Sequence, residues 1–227
     1  MTPLTGIRAC VFDAYGTIFD FASAVTRCAD VPETKRGALA ALWRDKQLQY
    51  TWLRTLQDCY ADFWQVTGEA LDYALENLGF ASPTLHASLM ELYLTLDAYP
   101  EVAATLRALR RAGFSTAILS NGAPRMLEAA VAAAGLGDLL DAVLSADSVK
   151  AFKTHPSVYE YGLRQLSLAP RQVSFQSSNG WDAYAASAFG MRAVWCNRQG
   201  QGRERLPGAP DFEIRTLAEL PPLLVSN

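Results

Sequence analysis

Cysteine, histidine and long apolar runs are all scarce in this chain, and each scarcity removes a class of function. The four cysteines, Cys10, Cys28, Cys59 and Cys196, stand far apart with no C-x-x-C pair, which argues against a disulfide framework and for reduced thiols. Only two histidines occur, His86 in a helical pattern and His155 beside Pro156, so a serine or cysteine hydrolase has little to draw on for its base. No unbroken apolar stretch approaches a membrane span, and residues 1 to 9 lack a charged region followed by an apolar one. A cytoplasmic protein, neither exported nor inserted, is expected. The formal net charge is −3 and the basic residues are scattered, so no field gathers nucleic acid or anionic lipid. No G-x-G-x-x-G follows the first apolar run, which leaves a dinucleotide without its phosphate cradle.

Hydrophobic residues are plentiful: they make up half of the 227 residues, enough for one substantial core and a smaller attached domain. Strand-like runs at 8–12, 114–120, 142–145, 173–177 and 192–197 are separated by segments of helical spacing, with glycine stops at Gly113, Gly135 and Gly190. This alternation predicts a Rossmann-like, doubly wound α/β core on a parallel sheet. Pro100, Pro124 and Pro156 are each expected to open a helix. Between Asp20 and Tyr99 the strand signals vanish, and Leu39, Leu42, Trp43, Tyr50, Leu53, Tyr60, Phe63 and Trp64 recur at helical spacing. A helical domain over 20–99, inserted after the first strand into a core of 1–19 and 100–227, is predicted. Within it Ser82-Pro83 is expected to start a helix running toward Leu96. The Gly- and Pro-rich stretch 200–210, with Arg203 and Arg205, reads as a solvated loop.

Asp13, in Phe-Asp-Ala-Tyr-Gly-Thr at 12–17, falls where the first apolar run meets a loop. An α/β sheet opens its crevice at the carboxyl ends of its strands, so this carboxylate is placed to act as a nucleophile. Three further segments follow in order: Ser120-Asn121-Gly122 after a strand, Phe152-Lys153-Thr154-His155-Pro156, and Ser177-Ser178-Asn179-Gly180-Trp181-Asp182 after another strand. Each is weak alone. Together they resemble the haloacid dehalogenase-like superfamily, and within it the L-2-haloacid dehalogenases. Trp43-Arg44-Asp45-Lys46-Gln47-Leu48 and Tyr50-Thr51-Trp52-Leu53-Arg54 are similar to that family's cap domain, and the likeness runs from about residue 7 to 220.

The resemblance implies hydrolysis of (S)-2-haloalkanoic acids to (R)-2-hydroxyalkanoic acids and halide, through an aspartyl ester on Asp13 and with no cofactor or metal. Lys153 would pair with Asp13, and Asn179 and Asp182 would orient the acid and the hydrolytic water. Thr17, Ser177 and Tyr159 would support them, although each also reads as a local cap or core residue. Arg44 and Asn121 match the halide positions and Ser120 the substrate carboxylate. Tyr15, Leu48, Phe63 and Trp181 would wall the pocket, while each aromatic taken alone reads as core packing. Arg44 and Lys153 in isolation would be solvated cations; their place in the series reverses that reading.

Two substitutions separate the chain from the superfamily's phosphatases. Tyr15 stands where a leaving-group acid would be, and Ser178 where the first metal-holding acid would be, so a magnesium-dependent phosphatase is the weaker alternative. A non-catalytic binding protein that keeps the fold is a second. Asp45 replaces a glutamine usual in the family and Thr154 a proline, which bears on substrate range more than on reaction type. The family likeness also implies a homodimer.

Overall fold

Ala9–Phe12 (β1) is buried along its whole length, as a strand covered on both faces must be, and its apolar sequence is continuous rather than alternating. In the computed structural model, which describes residues 3–224, β1 lies inside a sheet with Ser115–Ser120 (β2), Ala142–Ser145 (β3), Val173–Ser177 (β4), Arg192–Cys196 (β5) and Phe212–Ile214 (β6). Among the described residues the strand order is β3-β2-β1-β4-β5-β6, and every pairing is parallel. The chain winds outward from β1 to β3, then returns to β4 and winds the other way. The switch point therefore falls between β1 and β4, where such sheets open a crevice at their carboxyl ends.

Successive side chains of β1 face opposite layers. Cys10 and Phe12 pack with Val102–Arg111 (α5) and Pro124–Ala133 (α6), through Leu106, Leu109, Leu127 and Ala130. Ala9 and Val11 pack with Pro156–Leu166 (α7) and Gly180–Phe189 (α8), through Val158, Leu163 and Ala186. The doubly wound core expected from the sequence is thus present.

Four helices intervene between β1 and α5: Ser23–Arg27 (α1), Glu33–Leu56 (α2), Phe63–Asn77 (α3) and Pro83–Tyr93 (α4). Along α2 the buried residues are Leu39, Trp43, Gln47 and Thr51, one every fourth position, which gives a single stripe. Asp62 caps α3 by accepting from Gln65 N at 2.9 Å, and Ser82 caps α4 ahead of Pro83. The two chain crossings into this insertion are tied to each other: Asp20 N–H donates to Asp97 O at 2.8 Å and Tyr99 N–H to Ile18 O at 2.9 Å.

Two expected helix bounds shift, and one strand was not expected. The helix after Pro100 begins at Val102, because Pro100 and Glu101 form the turn that leads into it, with Val102 N–H donating to Tyr99 O at 3.1 Å. The helix opened by Pro83 ends at Tyr93, short of Leu96: Leu94 and Thr95 donate to carbonyls three residues back and tighten the last turn. The sixth strand, Phe212–Ile214, is three residues long, too short to show a period.

Candidate active site

Asp13 follows β1 directly, and its N–H donates to Gln176 O of β4 at 2.9 Å, so the sheet itself sets its backbone. The residue is buried, and its carboxylate has four donors around it. Lys153 Nζ reaches Oδ1 at 3.1 Å, while Asn179 Nδ2, Thr17 Oγ1 and Ser177 Oγ reach Oδ2 at 2.7, 3.2 and 3.4 Å. The loop carrying Thr17 turns at Gly16, whose φ of +89° lies in the left-handed region that a side chain would strain. Thr17 Oγ1 also accepts from Ser178 N at 2.8 Å, which links the β1 and β4 loops.

Lys153 is fully buried and its ammonium also donates to Asp182 Oδ2 at 2.9 Å. Its own N–H donates to Asn121 Oδ1 at 2.8 Å, so the turn after β2 positions the lysine. Burial alone would lower the Lys153 ammonium, but Asp13 and Asp182 outweigh it and hold it above its ordinary value. Asp182 is pushed up by burial and by the charge of Asp13, against the pull of Lys153. Tyr159 OH donates to Asp182 Oδ1 at 2.7 Å, and burial and that carboxylate raise the phenol well above 10, so it remains a donor. One cation thus sits between two carboxylates. His155 stands apart from the trio and caps α7 by accepting from Ser157 N at 3.3 Å.

A crevice of about 540 Å³ runs between α2 and the β4 and β5 loops and reaches the trio through Asn179, which lines it, while Asp13, Lys153 and Asp182 do not. Arg44, Asp45, Leu48, Trp52, Asn179, Trp181, Arg198 and Glu204 face it. Arg44 closes its floor. The guanidinium donates through Nη1 to Gln47 Oε1 at 2.7 Å, and Nη2 lies 3.3 Å from Asn179 Oδ1 and 3.4 Å from Tyr15 O. Its Nε, like Tyr15 OH, is buried without a hydrogen-bond partner among the described residues. Arg44 faces the crevice, so its Nε is placed to meet a ligand, whereas the Tyr15 phenol is enclosed between Phe63 and Tyr93.

Of the other expected residues, Tyr15, Phe63, Ser120 and Asn121 lie away from this opening. Tyr15 packs between Phe63 and Tyr93, with ring centroids 5.5 Å from each. Burial raises its phenol well above 10. Gly122 is tight against Tyr15: an added Cβ would come within 2.9 Å of that ring and 2.8 Å of Leu127. Ser120 is buried, and its Oγ accepts from Gly122 N at 3.1 Å. Asn121 has its side-chain carbonyl on Lys153 N and keeps its amide donors. Trp181 meets Trp52 edge-on at 5.5 Å on the crevice wall.

Two participants escaped the sequence reading. Gln47, 1% exposed, accepts from Arg44 and donates to Thr67 Oγ1 at 2.7 Å and Tyr93 OH at 3.1 Å. Its signal was a glutamine on the apolar stripe of α2, one turn from Arg44. Arg198, beyond β5, donates to Thr17 O at 2.9 Å and pairs with Glu101 at 2.7 Å; nothing in its local sequence marks it. Arg203 and Arg205 are exposed, as the loop reading expects.

Residues 7–190 match the family model for a haloacid dehalogenase-like hydrolase. The chain is 46% identical over 222 residues to (S)-2-haloacid dehalogenase 4A of Burkholderia cepacia, covering 97% of this chain and 96% of that protein. It is 41% identical to the (S)-2-haloacid dehalogenase of Pseudomonas sp. strain YL, over 93% of this chain and 91% of that protein. Among solved structures, the L-2-haloacid dehalogenase of Xanthobacter autotrophicus with chloropropionic acid covalently bound superposes with a TM-score of 0.89 at 39% identity, covering 96% and 98% of the two chains. With more than four-fifths of its length matched and relatives above 40% identity, the chain belongs to the haloacid dehalogenase-like hydrolase family.

Proposed function

We propose that the chain is an (S)-2-haloacid dehalogenase that works through an ester on Asp13. A carboxylate oxygen of Asp13 attacks the halogen-bearing carbon from behind; the C–O bond forms as the carbon–halogen bond breaks, and the bonding pair leaves with the halide. Water then attacks the Asp13 carboxyl carbon and gives a proton to Asp182, whose carboxyl burial raises above its ordinary value. The bond from that carbon to the substrate oxygen then breaks, the oxygen takes the proton back from Asp182 and leaves as the (R)-2-hydroxyacid, and Asp13 gives the remaining proton to solvent and is restored as a carboxylate. A halide leaves as a stable anion, so the step needs no leaving-group acid, in keeping with Tyr15 at that position.

The observation that carries this reading is the Lys153 ammonium between the Asp13 and Asp182 carboxylates, 3.1 and 2.9 Å away. Lys153 orients Asp13, and Asn179 and Thr17 hold its other oxygen. A magnesium ion would have to displace that ammonium and would find Ser178 where an acid ligand is required, so the donor set does not fit the metal. Arg44 and the free amide of Asn121 provide donors for the departing halide, and Ser120 with its loop N–H groups takes the carboxylate. Tyr15, Leu48, Phe63 and Trp181 shape the apolar wall, while Ser177 and Tyr159 support the two acids. The covalently bound chloropropionic acid of the Xanthobacter relative is consistent with an ester of this kind.

In this reading residues 20–99 form a cap over a core of 1–19 and 100–227, the site is a cytoplasmic one, and the active species is a homodimer. Exposed Leu53, Leu56 and Tyr73 on the outer faces of α2 and α3 offer the dimer an apolar surface. The test is incubation with (S)-2-chloropropanoate with and without a chelator. Chloride and (R)-lactate in equal amounts, unaffected by the chelator, are expected; phosphoester turnover that needs added magnesium, with no chloride, would overturn the reading.

A further inference from the structure

Arg198 touches the chain on both sides of the helical insertion, although it belongs to neither. It stands just past β5, where its neighbour Asn197 is locked by Gln201 N at 2.8 Å and Glu213 Oε1 at 2.7 Å. From there its Nη2 donates to the carbonyl of Thr17, ahead of the outgoing crossing, at 2.9 Å. Its guanidinium carbon lies 3.7 Å from the centroid of Tyr99, in the return crossing, and its Nη2 is 2.7 Å from Glu101 Oε1 just beyond. The side chain is 14% exposed. A planar guanidinium can stack and donate in its plane at the same time, which an ammonium cannot.

The far end of this arrangement is the nucleophile. Thr17 hangs on Arg198 by its carbonyl and offers its hydroxyl to Asp13 Oδ2 at 3.2 Å. The crossings themselves are joined by the Tyr99 and Asp20 amides. We propose that Arg198 is a positioning residue that bolts the hinge of the helical insertion and, through Thr17, sets the direction of Asp13. This rests on the reading of Asp13 as nucleophile given above. Closure matters most before the substrate is attached, since an ester tethers it; loosening the bolt therefore slows ester formation more than ester hydrolysis.

The test pairs single-turnover kinetics with amide hydrogen exchange on R198K, which keeps a charge for Glu101 but gives up the stack and the Thr17 bond. Ester formation from (S)-2-chloropropanoate is expected to slow by about tenfold or more and ester hydrolysis by less than about twofold. The Asp20 and Tyr99 amides are expected to exchange at least about tenfold faster. Wild-type rates and exchange in R198K would overturn the proposal, as would an equal loss in both chemical steps with unchanged exchange. Should R198K not fold, Y99L, which removes the stacked ring and keeps both ions, carries the same expectations. If the wild-type protein releases no halide, the reaction assigned above falls, and the exchange of the two hinge amides alone decides for or against the bolt.

Discussion

Asn179 Nδ2 donates to Asp13 Oδ2 at 2.7 Å, the shortest of the four hydrogen bonds that fix the carboxylate. The same side chain accepts from Arg44 through Oδ1 at 3.3 Å, so one amide joins the acid to the floor of the crevice. Asn179→Ala removes a hydrogen bond to a charged group, worth about 1.5–3 kcal/mol. A fall in kcat/KM of about 10- to 100-fold follows, with the fold unaltered by circular dichroism.

Lys153 and Asp182 dictate how activity and stability respond to pH. Asp182 is raised above its ordinary 3.8, chiefly by burial, so as pH falls its proton returns earlier than on an exposed aspartate. With Asp182 as the base proposed for the hydrolytic water, the single-turnover rate of ester hydrolysis is expected to fall on an acidic limb above 3.8. Lys153 is held above its ordinary 10.5 against burial by the two carboxylates. Its contribution to stability is complete below 10.5 and is lost as pH rises through the folded-state value. Replacing it with methionine leaves two buried acids without their cation, a loss of about 3–5 kcal/mol in urea denaturation near neutral pH.

Asp45 is exposed on the rim of the crevice that Arg44 floors. An exposed like charge acts weakly on an incoming carboxylate, by about 1 kcal/mol or less, and salt screens it. Asp45→Asn is expected to lower KM for 2-chloropropanoate by up to about fivefold at low salt with kcat unchanged. The advantage should vanish at high salt, and 2-chloropropanamide should show none at either.

How much of this was open to sequence reading depended on whether a residue's partners were local. Asp13, Ser120, Ser177 and Asn179 sit at or just past the ends of strands, and the parallel sheet gathers them at one edge; an apolar run followed by a turn marks Asp13, while the family motifs mark the other three. Lys153 was found by its motif rather than by physics, because a buried lysine looks like any other until its two carboxylates are in place. The partners of Arg198, Thr17 and Glu101, lie far off in the chain, and no period or cap links them. Gln47 was hidden by a different effect: a polar residue on a buried stripe reads as a flaw until Arg44, Thr67 and Tyr93 satisfy it.

The outer face of the insertion makes a further prediction. Leu56 is 81% exposed and Leu53 46%, one helical turn apart on α2. Converting both to glutamate should turn a dimer into a monomer by sedimentation and leave the trio at Asp13 intact. A wild-type protein that sediments as a monomer would exclude the dimer.

The most direct measurement is a single turnover of (S)-2-chloropropanoate in oxygen-18 water with enzyme in excess, followed by peptide mass analysis. Attack by Asp13 and hydrolysis at its carboxyl carbon place the heavy oxygen in Asp13 and leave the lactate unlabelled. Label in the lactate with none in Asp13 would mean that water reached the substrate carbon directly, contradicting the account.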